Sequence, residues 1–193
     1  MPPKVRINRI EAPLFMKDAK IIYRNFVGEK RRFNKLGDRN FNVVIEDEQL
    51  ATLLMKDGWN LKPFKPRPDD EEVIPGYHME VAVNFESSQP PKIVMITEIL
   101  IKDPSAEDGV KTVRKGVLLS EETVGLLDSA HILKSDIEIR PYNWGPDDAG
   151  RTGVKAYLKT LWVTIKADPF SEEYSDVILT NDPIASLREE VIE

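Results

Sequence analysis

Two late segments of the chain alternate cationic and aromatic residues in a way that suits ligand binding. Six residues share the pattern, each standing two positions from the next within its segment: Arg140, Tyr142 and Trp144 in the first, and Lys155, Tyr157 and Lys159 in the second. In a strand, alternate residues point to one face. Aromatic rings stack on flat bases and cations attract phosphates, so such a face suits a single-stranded nucleic acid. The alternative is that the rings cover a core while the cations solvate the other side.

A second stretch, residues 24–41, also interleaves cations with aromatic rings. Its candidate binding residues are Arg24, Phe26, Lys30, Arg31, Arg32, Phe33 and Arg39. Two glycines, Gly28 and Gly37, let the backbone turn sharply. Clusters of Lys and Arg are commonly interaction patches, although a solvated charged loop has the same composition. If the stretch is a patch, the basic loop within it, residues 29–40, and the late hairpin form the two walls of a groove that follows a phosphate backbone.

Nothing in the residue spacing indicates catalysis. His78 and His131 are isolated, and the chain lacks the motifs of zinc peptidases, phosphate-binding loops and serine hydrolases. It has no cysteine, which removes thiolate metal sites and cysteine nucleophiles. The acidic runs at 69–72 and 147–148 are typical of exposed loops rather than cation sites. We expect a protein that is not an enzyme, with no catalytic residue, metal or cofactor.

The elements that must position these residues are mostly strands. Period-two patterns and turn residues predict six strands, over residues 20–27, 40–45, 79–85, 93–96, 137–144 and 154–165, with the last two forming a hairpin. Short helices are predicted after Asp47 and after Ser120, whose side chains can cap a first turn. Trp59 and Trp162 are predicted to lie in the core. The absence of regular strand and helix alternation favours a small, mainly β barrel of five to six strands.

Charge is distributed unevenly along the 193 residues. The net charge is −6, yet the last 27 residues alone carry eight acidic side chains and one arginine. We therefore expect one domain over residues 1–166 and an acidic, flexible tail over 167–193. The N-terminus has no apolar segment after its charged residues, and no apolar run approaches the roughly 20 residues that span a bilayer. These features, with the lack of cysteine, predict a cytoplasmic protein.

The pattern resembles phage-encoded single-stranded DNA-binding proteins with an oligonucleotide-binding (OB) fold. The resemblance is carried by four stretches: 23–26, the basic loop, 40–45 leading into a helix, and the late strands around 140–142 and 153–158. It implies a Greek-key barrel that coats single-stranded DNA with little sequence preference during replication or recombination. The acidic tail would compete with DNA and recruit replication or recombination proteins, although it lacks the usual terminal Asp-x-Pro-Phe pattern.

Another class of function remains open at this point. The same strands would suit a protein-interaction or virion-assembly module that offers a sheet edge to another protein and binds no nucleic acid. Homo-oligomers are compatible with either function. In that case the charged loop would serve only solubility, and the protein would elute as a defined complex without nucleic acid.

Overall fold

The computed structural model describes residues 10–32, 34–65, 76–105, 107 and 109–167, with the backbone alone at residue 100. In these residues the chain forms nine strands, one α-helix and one 3₁₀ helix. The elements are β1 (Leu14–Met16), β2 (Ile21–Asn25), β3 (Arg39–Ile45), α1 (Glu48–Lys56), β4 (Leu61–Pro63), β5 (Tyr77–Val83), β6 (Lys92–Lys102), β7 (Val110–Leu119), the 3₁₀ helix Val124–Asp128, β8 (Ile132–Trp144) and β9 (Gly153–Ile165). The prediction of a mainly β protein is confirmed.

The strands form one open sheet, so the predicted closed barrel is wrong. Its main path runs β1-β8-β9-β5-β3-β2, with β4 added to β5 and the β6-β7 pair added to β9. The two ends of this path, β1 and β2, are consecutive segments of the chain. They pair with different strands, because β1 joins β8 while β2 joins β3. The predicted strand number was also too low, since β1, β4 and β7 were not recognised.

Strand β9 organises the sheet around the late hairpin. It pairs with β8 in antiparallel fashion over nearly its whole length, which confirms the predicted hairpin. On its other edge it runs parallel first to β5 and then to β6. One face of β9 contributes five side chains to the core: Val154, Ala156, Leu158, Leu161 and Val163. The opposite face of β9 points away from the core and carries Lys155 and Tyr157.

The helix after β3 forms as its sequence predicts. Asp47 caps α1, accepting hydrogen bonds from the backbone N–H groups of Gln49 at 2.8 Å and Leu50 at 3.1 Å. Ala51 and Leu54 are buried, and Gly58 ends the helical region at a φ of +93° that favours glycine. The second predicted helix is only the five-residue 3₁₀ turn Val124–Asp128, and no side chain caps its first turn.

The chain divides into two compact units. The first comprises residues 1–97 and 116–166, and contains the hairpin, α1 and the 3₁₀ helix. The second comprises residues 98–115 and 167–193, and its described part contains an ion pair between Arg114 and Glu98 at 2.9 Å. The tail from residue 168 lies outside the described residues, so the predicted domain limits and the flexible acidic tail stay predictions.

Candidate nucleic-acid interface

Three aromatic side chains of the β8-β9 hairpin share one exposed face. Tyr142 is 57% exposed and Trp144 is 39% exposed, while Tyr157 is half-buried beside them. The rings of Tyr142 and Tyr157 meet edge to face, with centroids 5.9 Å apart. Lys155 Nζ lies 5.2 Å from the centroid of the Tyr157 ring. The predicted face is therefore present, and it combines fixed rings with a cation next to one of them.

A glycine accounts for the position of Trp144. Gly153 is the register partner of Trp144 across the hairpin. A Cβ atom at Gly153 would lie 2.8 Å from the Cζ2 atom of the Trp144 ring, a distance that no side chain tolerates. The indole therefore lies directly over the glycine backbone. Its remaining exposed surface is open to a ligand.

The other two cations that the sequence predicts on the hairpin have protein partners. Arg140 donates hydrogen bonds to the side-chain oxygen of Gln89 and, at 3.2 Å, to the Gln89 carbonyl. Lys159 donates to Glu138 at 2.8 Å and is 51% exposed in its side chain. These contacts hold both cations on the same face as Tyr142 and Tyr157. Neutralisation by Glu138 makes Lys159 the weaker candidate for a phosphate contact.

Two of the predicted binding residues, Arg24 and Phe26, form contacts within the fold. Phe26 is fully buried and stacks on Phe41 with ring centroids 5.2 Å apart, so a base cannot reach it. Arg24 donates two hydrogen bonds of 2.7 Å, to the carbonyls of Leu127 and Ala130 at the end of the 3₁₀ helix. Both side chains therefore serve the fold. The sequence pattern did not distinguish these two residues from binding residues, because alternation along a strand defines two faces without showing which of them is buried.

Asp128 completes the link between β2 and the 3₁₀ helix. Its two carboxylate oxygens accept from the backbone N–H groups of Phe26 at 2.8 Å and Val27 at 2.9 Å. With the Arg24 bonds, these contacts fix the point at which the basic loop begins. The loop is thus anchored at its start by side-chain contacts to a distant part of the sequence.

The other loop residues lie beyond that anchor. Lys30, Arg31 and Arg32 are exposed, and Arg31 donates to the Arg24 carbonyl at 2.9 Å. Phe33 lies outside the described residues. Arg39 is placed differently, because it begins β3 and forms a 2.9 Å ion pair with Glu121. Its Nε is buried and has no hydrogen-bond partner among the described residues.

The loop and the hairpin share a hollow of about 590 Å³ between residues 36–40, β5 and β9. Of the predicted residues it brings together Arg39, Lys155 and Tyr157. Its walls also carry four carboxylates, which outnumber the two cations: Asp38, Glu80, Glu86 and Glu121. Acidic walls repel phosphates. The predicted two-walled groove therefore exists in shape, but its charge does not suit a phosphate backbone.

The sequence interpretation missed Trp162, which was predicted to be in the core and is 42% exposed. The register of β9 against β8 shifts between Leu158 and Thr160, so one extra residue reverses which side chains face outward. Trp162 thereby joins the face that carries Tyr157. Lys92 Nζ lies 4.9 Å from the Trp162 ring centroid. No sequence signal marks such a bulge. Trp59, by contrast, is buried as predicted.

Tyr23 is a second exposed aromatic residue that the sequence analysis did not include in the candidate site. It is exposed, has a φ of +50° and lies where the pairing of β2 with β3 is irregular. Its ring meets His78 edge to face at 5.8 Å, and Asn42 Oδ1 lies 2.8 Å from His78 Nδ1. Burial and then the positive charge of Lys62 lower the pKa of His78, against a smaller opposing effect of Glu80. The imidazole is therefore neutral at neutral pH.

Two observations bear on the other classes of function. Within the described ranges, no group of three or more His, Asp or Glu side chains is placed to hold a metal ion. In the same part of the chain, no helix is long and apolar enough to cross a membrane.

An open β-sheet with exposed rings beside cations is typical of β proteins that bind single-stranded nucleic acid. The chain belongs to the family described as "Putative phage ssDNA-binding domain", which matches residues 3–193. Single-stranded DNA is thus the ligand of this protein, and the family resemblance inferred from the sequence is confirmed. Among solved structures, the chain is similar to gp2.5, a single-stranded DNA-binding protein encoded by bacteriophage T7. That likeness has 11% identity and a TM-score of 0.37, and covers 90% of this chain and 98% of the other. No curated protein matches the chain.

Proposed function

We propose that the protein binds single-stranded DNA on the outer face of the β8-β9 hairpin. Tyr142, Trp144 and Tyr157 stack on bases, and Lys155 contacts the adjoining phosphate. The observation that carries the proposal is the contact geometry of this face, in which two tyrosine rings fix each other and a lysine lies over one of them. Every base has a face that stacks, so binding on this surface requires no particular sequence.

The energetic argument rests on preorganisation. An aromatic side chain that is already held by a neighbouring ring loses little conformational freedom when a base stacks on it. Each stacked base contributes about 1–3 kcal/mol by alanine substitution. The hairpin strands are among the most extensively paired in the sheet, so their rings do not need to be ordered on binding. Two or three such rings would give useful affinity before any phosphate is counted.

The loop cations supply the less specific part of the binding. Lys30, Arg31 and Arg32 are exposed and would attract the phosphate backbone from outside the acidic hollow. Arg140 and Lys159 would contribute on the hairpin face, although their partners Gln89 and Glu138 reduce their share. In this arrangement the protein acts by binding alone and carries out no catalysis. An acidic tail over 167–193 that competes for these cations and recruits replication proteins is part of the same proposal.

The test compares wild type with Tyr157→Ala, using fluorescence anisotropy of labelled single-stranded and double-stranded DNA over a series of salt concentrations. Leu53→Ala is the control, because Leu53 is exposed on α1 and is not among the residues that line the hollow beside Tyr157. We expect Tyr157→Ala to weaken single-strand binding roughly 5- to 150-fold, the equivalent of one lost stacking contact.

The control should bind like wild type, and duplex should bind more weakly because its bases are not free to stack. Normal single-strand affinity in Tyr157→Ala would contradict the assignment of this face. Absence of single-strand binding by wild type at low salt would contradict the function itself. A stable complex with another protein instead of DNA would favour the assembly alternative.

A further inference from the structure

Strand β9 carries a second pair of a ring and a cation on its outer face, beyond the Tyr142–Tyr157 pair. Trp162 is exposed there, and Lys92 of β6 reaches over its ring at 4.9 Å. The geometry repeats that of Lys155 over Tyr157 at 5.2 Å. Two pairs of a ring and a cation on the outer face of one strand suggest a repeated function, because each offers a base platform and a positive charge together.

The bulge in β9 is what places both pairs on one face. Without it, Trp162 would follow Val154, Ala156 and Leu158 into the core, as strict alternation predicts. With it, Leu161 and Val163 fill the core and Trp162 points outward. At about 3.3 Å per residue, the two rings stand roughly 15 Å apart along the strand. This separation leaves room for a few nucleotides between two stacked bases.

Charge favours a path along β9 over a path into the hollow. The outer face between the two rings carries Arg140 and Lys159 on the hairpin, with Lys92 at its far end. Two carboxylates lie on the same face, and each has a cationic partner. Glu138 pairs with Lys159, and Asp136, the register partner of Trp162, pairs with Lys134 at 3.4 Å. The hollow beside β5 has twice as many carboxylates as cations. A polyanion gains more by following the strand than by turning into the hollow.

We propose that Lys92 and Trp162 form a second stacking site for single-stranded DNA, so that the bound strand runs along β9 from Tyr157 to Trp162. This inference rests on the proposed function and extends it. It sets a minimum length for the DNA, since a single strand must reach both rings to bind with full affinity. It also assigns Trp162 as a natural optical reporter of that coverage.

The test measures affinity for two oligodeoxythymidylates, about 4 and about 12 nucleotides long, which fall within the site sizes of comparable single-strand binders. The variants are Trp162→Ala, Trp162→Phe and Tyr157→Ala, with Leu53→Ala as the control. We expect Trp162→Ala to weaken binding of the longer strand roughly 5- to 150-fold. It should leave the shorter strand nearly unaffected, because Tyr142 and Tyr157 still hold it. Trp162→Phe keeps a ring and should restore most of the loss.

A second readout does not depend on affinity. In a Trp144→Phe background, Trp162 is the exposed tryptophan, since Trp59 is buried. We expect the longer strand to quench its emission and the shorter strand to quench it much less. Unchanged emission with the longer strand, or equal losses for both lengths in Trp162→Ala, would overturn the proposal. If Tyr157→Ala weakens binding and Trp162→Ala does not, only this inference fails. If wild type binds neither strand, the proposed function fails.

Discussion

Arg24→Ala should reduce stability and leave DNA binding unchanged, whereas Lys155→Ala should weaken binding and leave stability unchanged. Both residues look like phosphate contacts in the sequence. Arg24 donates two hydrogen bonds of 2.7 Å to the carbonyls that end the 3₁₀ helix. Lys155 is exposed, and its Nζ lies 5.2 Å from the centroid of the Tyr157 ring. Removal of Arg24 leaves two partly buried carbonyls without their donor. The side chain of Lys155 forms no hydrogen bond or ion pair with the residues that the structure describes, so its removal leaves none of their groups unpaired.

The magnitudes follow from these contacts. A hydrogen bond to a charged group contributes about 1.5–3 kcal/mol, and Arg24 is partly exposed, so its loss should lower the free energy of unfolding by about 2–4 kcal/mol. In a chain of 193 residues this corresponds to a fall in Tm of roughly 5–15 °C. Loss of Lys155 should instead reduce the slope of log affinity against log salt by about 0.7, the value for one phosphate contact with a single strand.

The assay pairs thermal unfolding with a salt titration of DNA binding on the same samples. Arg24→Ala should melt early and keep the wild-type salt slope below its Tm, while Lys155→Ala should melt normally with a shallower slope. Arg24→Lys keeps the charge and therefore serves as the control. A shallower salt slope in Arg24→Ala, restored by Arg24→Lys, would show that Arg24 contacts phosphate. That result would refute the inference that Arg24 only stabilises the fold.

Three further predictions concern the rings and the histidine. Phe26→Ala should lower the free energy of unfolding by about 3–5 kcal/mol, because it leaves a cavity in the core, and denaturant titration should show this while DNA affinity of the folded protein is unchanged. Gly153→Ala should displace the Trp144 ring, which a Cβ atom would meet at 2.8 Å, so the tryptophan emission should shift and single-strand affinity should fall. Burial lowers the pKa of His78, so the unfolded chain takes up a proton near its ordinary pKa of about 6.5 while the fold resists it. The Tm should therefore fall between about pH 7.5 and about pH 5.5, and His78→Gln should reduce that fall, since stability rises with pH where the unfolded state binds more protons. A pH dependence identical to wild type in His78→Gln would exclude this imidazole as the cause.

The hairpin was the part of the fold that the sequence predicted best, and the reason is local. Alternation of Val154, Ala156 and Leu158 with Lys155 and Tyr157 requires only that β9 be a strand with one buried face. The same holds for α1, whose cap and glycine stop are adjacent to the helix itself. Features set by neighbouring residues can be read from the sequence without knowledge of the rest of the fold.

Features that depend on distant residues were missed. The bulge that exposes Trp162 is a property of the pairing between β8 and β9, and nothing in the β9 sequence indicates it. The burial of Phe26 depends on Phe41. The acidic character of the hollow depends on Glu80 and Glu121, which the fold brings beside the basic loop from other parts of the chain. A run of cations in the sequence therefore did not establish a positive surface in space.

These corrections divide the binding free energy between two parts of the molecule. The hairpin face holds its rings in fixed contacts, so its stacking contribution should persist at high salt. The loop cations Lys30, Arg31 and Arg32 are exposed, and their contribution should disappear as salt screens them. A protein with a net charge of −6 can then bind a polyanion, because the attraction is local and base stacking on the rings does not require a net positive charge. The affinity that remains at high salt therefore measures base stacking on the hairpin rings alone.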